Sequence, residues 1–175
     1  MKRFAAGFVV GTVVLVLGVV GYLELGLAEI RADVSPTGWT GKFLYTAVHA
    51  AVRREAPVRQ SPLPANEQVL IAGGKLYLND CVGCHGEPGK PASKFGATFY
   101  PPAPQLAQMA TQYSVAEIFW IAKHGLRRTG MSAEGSWYSD EDLWRLTAFI
   151  HEMTKLPPGV MEGVRLANAP QSADK

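Results

Sequence analysis

Hydrophobic and polar positions divide this chain into stretches of different period. Residues 4–23 run without a single charge and follow Lys2 and Arg3. A helix of that length is roughly 30 Å long, enough to span a bilayer. The competing reading is a cleaved secretory signal, whose apolar core is usually about 7–15 residues. Cleavage after Ala28 fits a small-x-small site, but the longer core favours retention. Gly7 and Gly11 have the spacing of close helix packing in membranes, although glycine is common in such helices anyway. Residues 39–56 follow Pro36 and Gly38 and have helical period, with Trp39, Phe43, Ala47 and Ala50 on one side and Lys42, Arg53 and Arg54 elsewhere. That helix is expected at the membrane interface or, equally, as a stalk or packed on the next domain. His49 within it is expected to be solvated. Pro57, Pro62 and Pro64 make residues 57–65 an extended tether with a reach of roughly 25–30 Å.

Further along, Asn66 is a good N-cap, Glu67 suits a first turn, and Leu70, Gly73, Tyr77 and Cys81 share one helical side. Ser114 and Glu117 form a capping box before a helix that carries Phe119, Trp120 and Ile121. Ser139 and Asp142 suggest another box, followed by an apolar face of Leu143, Leu146, Phe149 and Ile150. The chain lacks an alternating α/β pattern, so the fold expected is all-α. Pro157, Pro158, Gly159 and a polar end make residues 156–175 a flexible tail. The organisation is an anchor at 1–24, an interfacial helix and proline-rich linker at 25–65, a compact domain at 66–155 and that tail.

Composition changes the picture in two ways. With 175 residues, a net charge of +2 and 18% charged residues, nothing demands nucleic acid or another polyanion as partner. Lys2 and Arg3 precede the span, whereas Glu24, Glu29 and Asp33 against Arg31 follow it. The positive-inside rule then leaves the N-terminus cytoplasmic and places everything after residue 23 on the periplasmic or extracytoplasmic side, with the lipid bilayer as one partner.

The two cysteines sit together in Cys81-Val82-Gly83-Cys84-His85. Two thiols so spaced can add to the two vinyl groups of one porphyrin, and His85 is then placed as the proximal iron ligand. A thioredoxin-like pair needs a strand and helix in an α/β chain, and structural zinc needs a fourth ligand. Neither is provided here. Residues 66–155 resemble a class I cytochrome c domain: Gly73 and Tyr77 match the glycine and aromatic that precede the first cysteine in that family's first helix. The resemblance implies an all-α domain wrapped on one covalent haem c, with the last helix crossing the first and Phe149 over Gly73.

A His-ligated iron needs a sixth ligand to be a stable carrier, and a thioether raises its reduction potential. Of five methionines, Met1 begins the anchor, Met109 follows the attachment motif too soon, Met153 is in the last helix and Met161 in the tail. Met131 remains, in the glycine-bounded loop 123–131, and that loop resembles the family's Gly-Met ligand loop. Ser132 stands where many relatives have proline. His124 is the competing ligand, although its place at a helix end suits a C-terminal charge partner better, and His151 is expected on the solvent side. The resemblance further implies that the Pro104 carbonyl accepts the ring N–H of His85 and that Leu106 packs on the haem, while Phe119, Trp120 and Ile121 are expected to line the pocket. With both iron positions filled and no activated nucleophile or acid/base pair, the expected task is single-electron transfer between respiratory or dehydrogenase partners rather than catalysis. Two rivals stand beside it: a heme enzyme opened by dissociation of Met131, and a cytochrome subunit of a larger reductase, oxidase or dehydrogenase.

Overall fold

The structure of the protein, a computed structural model, describes residues 1–34, 38–56, 58, 60–108 and 112–168, with Trp39 and Thr40 described by backbone alone. Met109, Pro36 and Pro57 lie outside the described residues. Among those described there is no strand. The all-α expectation holds. The chain divides into two compact units, Met1–Arg31 and Ala32–Lys175.

The first unit is the helix α1, Lys2–Glu24, with no buried residue. Its hydroxyl at Thr12 donates to the Phe8 carbonyl at 2.9 Å, so the helix carries its own polar group without a partner from elsewhere. The end is built, not frayed. Gly26 has φ +66°, its N–H donates to Leu23 and the Leu27 N–H donates to Tyr22 at 3.1 Å. Those two bonds are the Schellman pair that closes a helix at a left-handed glycine. By length and composition α1 can cross a membrane, a test that a signal sequence near an N-terminus also passes.

The second unit holds the core. Its helices are α2, Trp39–Glu55; α3, Glu67–Leu76; α4, Val82–His85; α5, Val115–His124; α6, Asp140–Glu152; and α7, Val160–Asn168. Asn66 caps α3 by accepting from the Val69 N–H at 3.0 Å, and Ser114 and Glu117 make both bonds of the capping box on α5. At α6 only half of the expected box forms. Ser139 accepts from the Asp142 N–H at 3.1 Å, but the Asp142 carboxylate takes the Ser139 hydroxyl instead of its backbone N–H. Aspartate is one methylene shorter than the glutamate that normally reaches back.

Helix α3 crosses α6 at a glycine pair. A Cβ on Gly73 would stand 2.0 Å from the Arg145 carbonyl oxygen, and one on Gly74 would meet the Phe149 ring at 2.9 Å. Phe149 therefore lies over both glycines, its Cβ 3.0 Å from a Cβ on Gly73, as expected, and its ring over Gly74, and it leans on Tyr77 at 5.6 Å between ring centroids. Behind this crossing, Phe119 of α5 stacks on Trp144 of α6 at 4.0 Å. The expected flexible tail is corrected over residues 160–168. Helix α7 packs on α3 with Val160 and Val164 fully buried, and Gly74 and Gly163 give Val164 and Ile71 room to interlock. Pro157 heads the turn that leads into that helix rather than ending the fold: its carbonyl accepts from the Val160 N–H at 3.2 Å.

Helix α2 also packs, against α5. Val52 is wholly buried, and Val48, Ala51 and Val52 face Trp120, Gly125 and Leu126 across a cavity of about 350 Å³. His49 is not solvated as expected. Its ring lies half-buried between Tyr45, 4.0 Å away, and Tyr113, 4.8 Å away and near-parallel. The free tether is corrected too, because Leu63 packs on the core and Ser61 pins it by bonding both its N–H and its carbonyl.

Candidate functional site

The attachment motif starts where α3 changes pitch. Tyr77–Cys81 form a π-helical turn that leads directly into α4. Such single-turn widenings put an extra residue into a helix and recur at functional sites. Here the wider turn seats Cys81 against the core, while Cys84 and His85 follow on α4, both half-buried. The Tyr77 hydroxyl, fully buried, donates to the Gly86 carbonyl at 2.6 Å. That bond ties the start of the turn to the residue after His85. Gly86 has φ +82° and no room for a side chain, since a Cβ would stand 2.9 Å from Gln105 Oε1.

A short helix leaves its last carbonyls without intrahelical donors. Those of α4 are taken by two side chains from the following loop. Gln105 Nε2 donates to Cys84 O and to Ala103 O, both at 3.0 Å, while its Oε1 accepts from the Ser93 N–H at 2.6 Å. Ser93 Oγ donates to the Gly83 carbonyl and accepts from the Gly96 N–H at 3.0 Å. Gly96 lies so close that a Cβ would be 1.9 Å from Cys84 O. Sequence reasoning missed these three residues. The available signal was a lone amide, Gln105, between a proline and a leucine in an otherwise apolar stretch.

The imidazole of His85 is held from the loop's other side. Its Nδ1 lies 2.8 Å from the Pro104 carbonyl oxygen. Burial pushes the ring below its ordinary pKa and that carbonyl pulls it back less strongly, so the neutral form dominates near neutrality. A carbonyl has no proton to give, so Nδ1 carries the hydrogen and Nε2 keeps its lone pair. Leu106, half-buried, packs against the core.

Met131 lies on a separate loop, closed on the end of α5. Gly125, φ +64°, donates its N–H to Ile121 at 2.8 Å, and a Cβ there would meet the Met131 carbonyl oxygen at 2.8 Å. Leu126 N–H donates to that same oxygen at 3.2 Å, and the Thr129 hydroxyl accepts from the Met131 N–H at 3.0 Å. Arg128 pays for this tight turn with φ +63°, unusual for a side chain with Cβ. After it, Ser132 donates to Glu134. That bond gives local order where relatives have proline. Two braces connect this loop to the attachment turn. The Phe99 ring lies against Gly130 and edge-on to Phe95, next to Gly96. Tyr138 donates to Asp80, beside Cys81, and this hydrogen bond, first among its causes, pushes the phenol up to about 12.

The rival ligands stand elsewhere. Met153 is buried in the core and Met161 packs beside it. His124 is exposed next to Trp120, and His151 is exposed and paired with Glu152 at 2.9 Å. Trp120, expected to line the pocket, turns towards α2, and Phe119 is committed to Trp144. Cys81 and Cys84 are not joined in a disulfide. Burial, and then the charges of Glu134 and Asp80, push the Cys81 thiol up to about 12. That is opposite to the lowered value of a reactive Cys-x-x-Cys pair. Among the described residues no group of three or more His, Cys, Asp or Glu is placed to hold a metal ion.

Residues 69–150 match the family model described as cytochrome c oxidase, cbb3-type, subunit III. That stretch is a c-type cytochrome domain. No curated protein and no solved structure matches the chain. The cytochrome domain implies covalent haem c and electron transfer. The donor set fits that group: two unpaired thiols two residues apart, then a neutral imidazole whose Nδ1 is already engaged. Haem c, when bound, supplies an iron that takes up or releases one electron. The chain's own part is to fix the ring of His85, hold Cys81 and Cys84 on one turn, and keep Met131 on a closed loop.

Proposed function

We propose that this protein is a membrane-anchored monohaem cytochrome c that passes single electrons between respiratory or dehydrogenase partners on the periplasmic side. Cys81 and Cys84 carry the thioether links, His85 and Met131 ligate the iron, and Pro104 and Leu106 support the proximal side. The observation that carries this reading is the His85 ring held at Nδ1 by Pro104, on the same turn as two free thiols. The length of the uncharged span and the charge bias around it support the anchor and its orientation. Redox proteins are the implied partners.

A second reading, that the protein is the cytochrome subunit of a larger membrane complex, is favoured by the oxidase-subunit description of the matching family model. Purification in mild detergent separates the two: a complex brings stoichiometric further subunits with it, and a free carrier does not.

The test of the haem assignment is Met131→Ala. Mass spectrometry should still find one haem attached through denaturation, while the sulfur-to-iron band of the ferric spectrum is lost and ferrous protein binds carbon monoxide. Met109→Ala and His124→Ala should keep the band. An unchanged spectrum in Met131→Ala sinks the assignment and makes His124 the first candidate.

A further inference from the structure

Helix α2 carries two apolar stripes, and the domain uses only one. At 100° per residue, Tyr45, Val48, His49 and Val52 fall on one side, and this side meets Tyr113 and the end of α5. Phe43, Ala47 and Ala50 fall on the opposite side and are exposed, Phe43 by 66%, with Leu44 beside them at 56%. The domain does not need this second stripe for its core. Cations lie within it and on one flank: exposed Arg54 falls on the stripe itself, between Phe43 and Ala47, and pairs with Glu55 at 2.8 Å, while exposed Lys42 and Arg53 stand roughly 80–100° round the helix from Phe43. Only that one acid stands on the helix. Fourteen residues, 25–38, separate the end of α1 from α2.

We infer that the outer stripe of α2 is a docking surface for anionic phospholipid, with Phe43 entering the acyl boundary and Arg54, together with Lys42 and Arg53 on its flank, meeting phosphate. The chemistry is that of an interfacial helix, in which apolar burial and attraction to anionic lipid add. The bilayer is supplied by the anchor reading above, on which this inference rests. A second copy of the chain is the other occupant that an apolar stripe admits, but like charges at Lys42, Arg53 and Arg54 repel across such a pair. The linker before α2 is long enough to reach: fourteen extended residues cover at most about 50 Å. Docked in this way, α2 holds the cytochrome domain at the surface by a helix already packed on α5, instead of leaving it on a swinging tether.

The experiment uses the full chain with haem attached and a specific-protease sequence inserted after Arg31, at the boundary between the two units. After cleavage, the haem-bearing fragment is spun with vesicles of phosphatidylcholine alone or mixed equally with phosphatidylglycerol, and followed by its Soret absorbance. Binding to the anionic vesicles that weakens as salt is raised is expected. Phe43→Ser should lower the partition about tenfold or more while the haem spectrum and Met131 band stay unchanged. A fragment left in the supernatant, while the uncut chain remains integrated in the bilayer, overturns the inference and spares the anchor. Uncut chain in the supernatant overturns the anchor reading instead. Lipid-free dimerisation abolished by Phe43→Ser also overturns the inference, since a second copy then covers the stripe.

Discussion

Gly96→Ala asks whether the loop after the attachment motif truly leans on its backbone. Alanine suits a 3-10 turn at this position, where no positive φ is required, so the effect is steric alone. The added Cβ would lie 1.9 Å from Cys84 O and 2.9 Å from Cys84 C, neither of which belongs to a flexible side chain. The two segments must part by roughly 1 Å or more to reach van der Waals distance. Such overpacking costs about 1–3 kcal/mol. The same movement stretches the Ala103 N–H bond to Gly96 O, 2.9 Å, the Gly96 N–H bond to Ser93, 3.0 Å, and the Gln105 bond to Cys84 O, 3.0 Å. Losing one or two of them adds about 0.5–1.5 kcal/mol each, for a total of about 1.5–6 kcal/mol. Guanidinium unfolding of the haem-loaded protein, followed by tryptophan fluorescence, measures this. Gly83→Ala is the control. It lies one residue before Cys84 with nothing within 4 Å of its Cβ, and should be neutral or stabilise by at most about 1 kcal/mol. Gly96→Ala within about 0.5 kcal/mol of wild type would refute the close approach and the clamp argued from it.

Ending the chain at Leu156 removes Val160 and Val164, both wholly buried, and should cost about 3 kcal/mol or more in the same assay; an unchanged midpoint means that α7 does not pack. Val52→Asp puts a carboxylate into the contact between α2 and α5, so trypsin should cut after Arg53 and Arg54 several-fold faster, and an unchanged cleavage rate refutes the docking of α2. The Ser139 hydroxyl, ahead of Arg145, holds the Asp142 carboxyl below its usual range. A depressed folded value stabilises above the unfolded pKa, about pH 4, and that contribution is lost as pH falls through the folded value. The stability gap between wild type and Asp142→Asn, under about 1 kcal/mol at this exposed site, should therefore close in acid, and a gap that persists there counts against the linkage.

What was legible in the sequence followed from local chemistry. The helix starts at Asn66, Ser114 and Ser139 were readable because a cap acts within three residues. The candidate attachment turn stood out because two thiols two residues apart and a histidine directly after them form a compact, recognisable spacing. Pro104 came through the resemblance, and its oxygen does stand 2.8 Å from the His85 ring. Gln105, Ser93 and Gly96 were not readable. Each acts through a contact 10–21 residues away in the chain, where side-chain type alone does not name the partner.

The tail and α2 were legible only in part. Proline and glycine at 157–159 look like an end, yet a turn of the same residues leads equally well into a following helix. Only Val160 and Val164 distinguish the cases, and two valines in a polar stretch give a weak period. In α2 one of the equal alternatives holds, packing on the next domain, but through a side the sequence reading did not single out. Phe43 offers the larger apolar surface, yet it is Val52 that is buried, on the side facing Trp120, Gly125 and Leu126. A helix that hides its smaller apolar face and shows its larger one has spent only half of its amphipathic character on folding. The remaining half stays exposed on the helix that follows the apolar α1 in sequence, with Phe43 and Leu44 left without a partner in the domain's core.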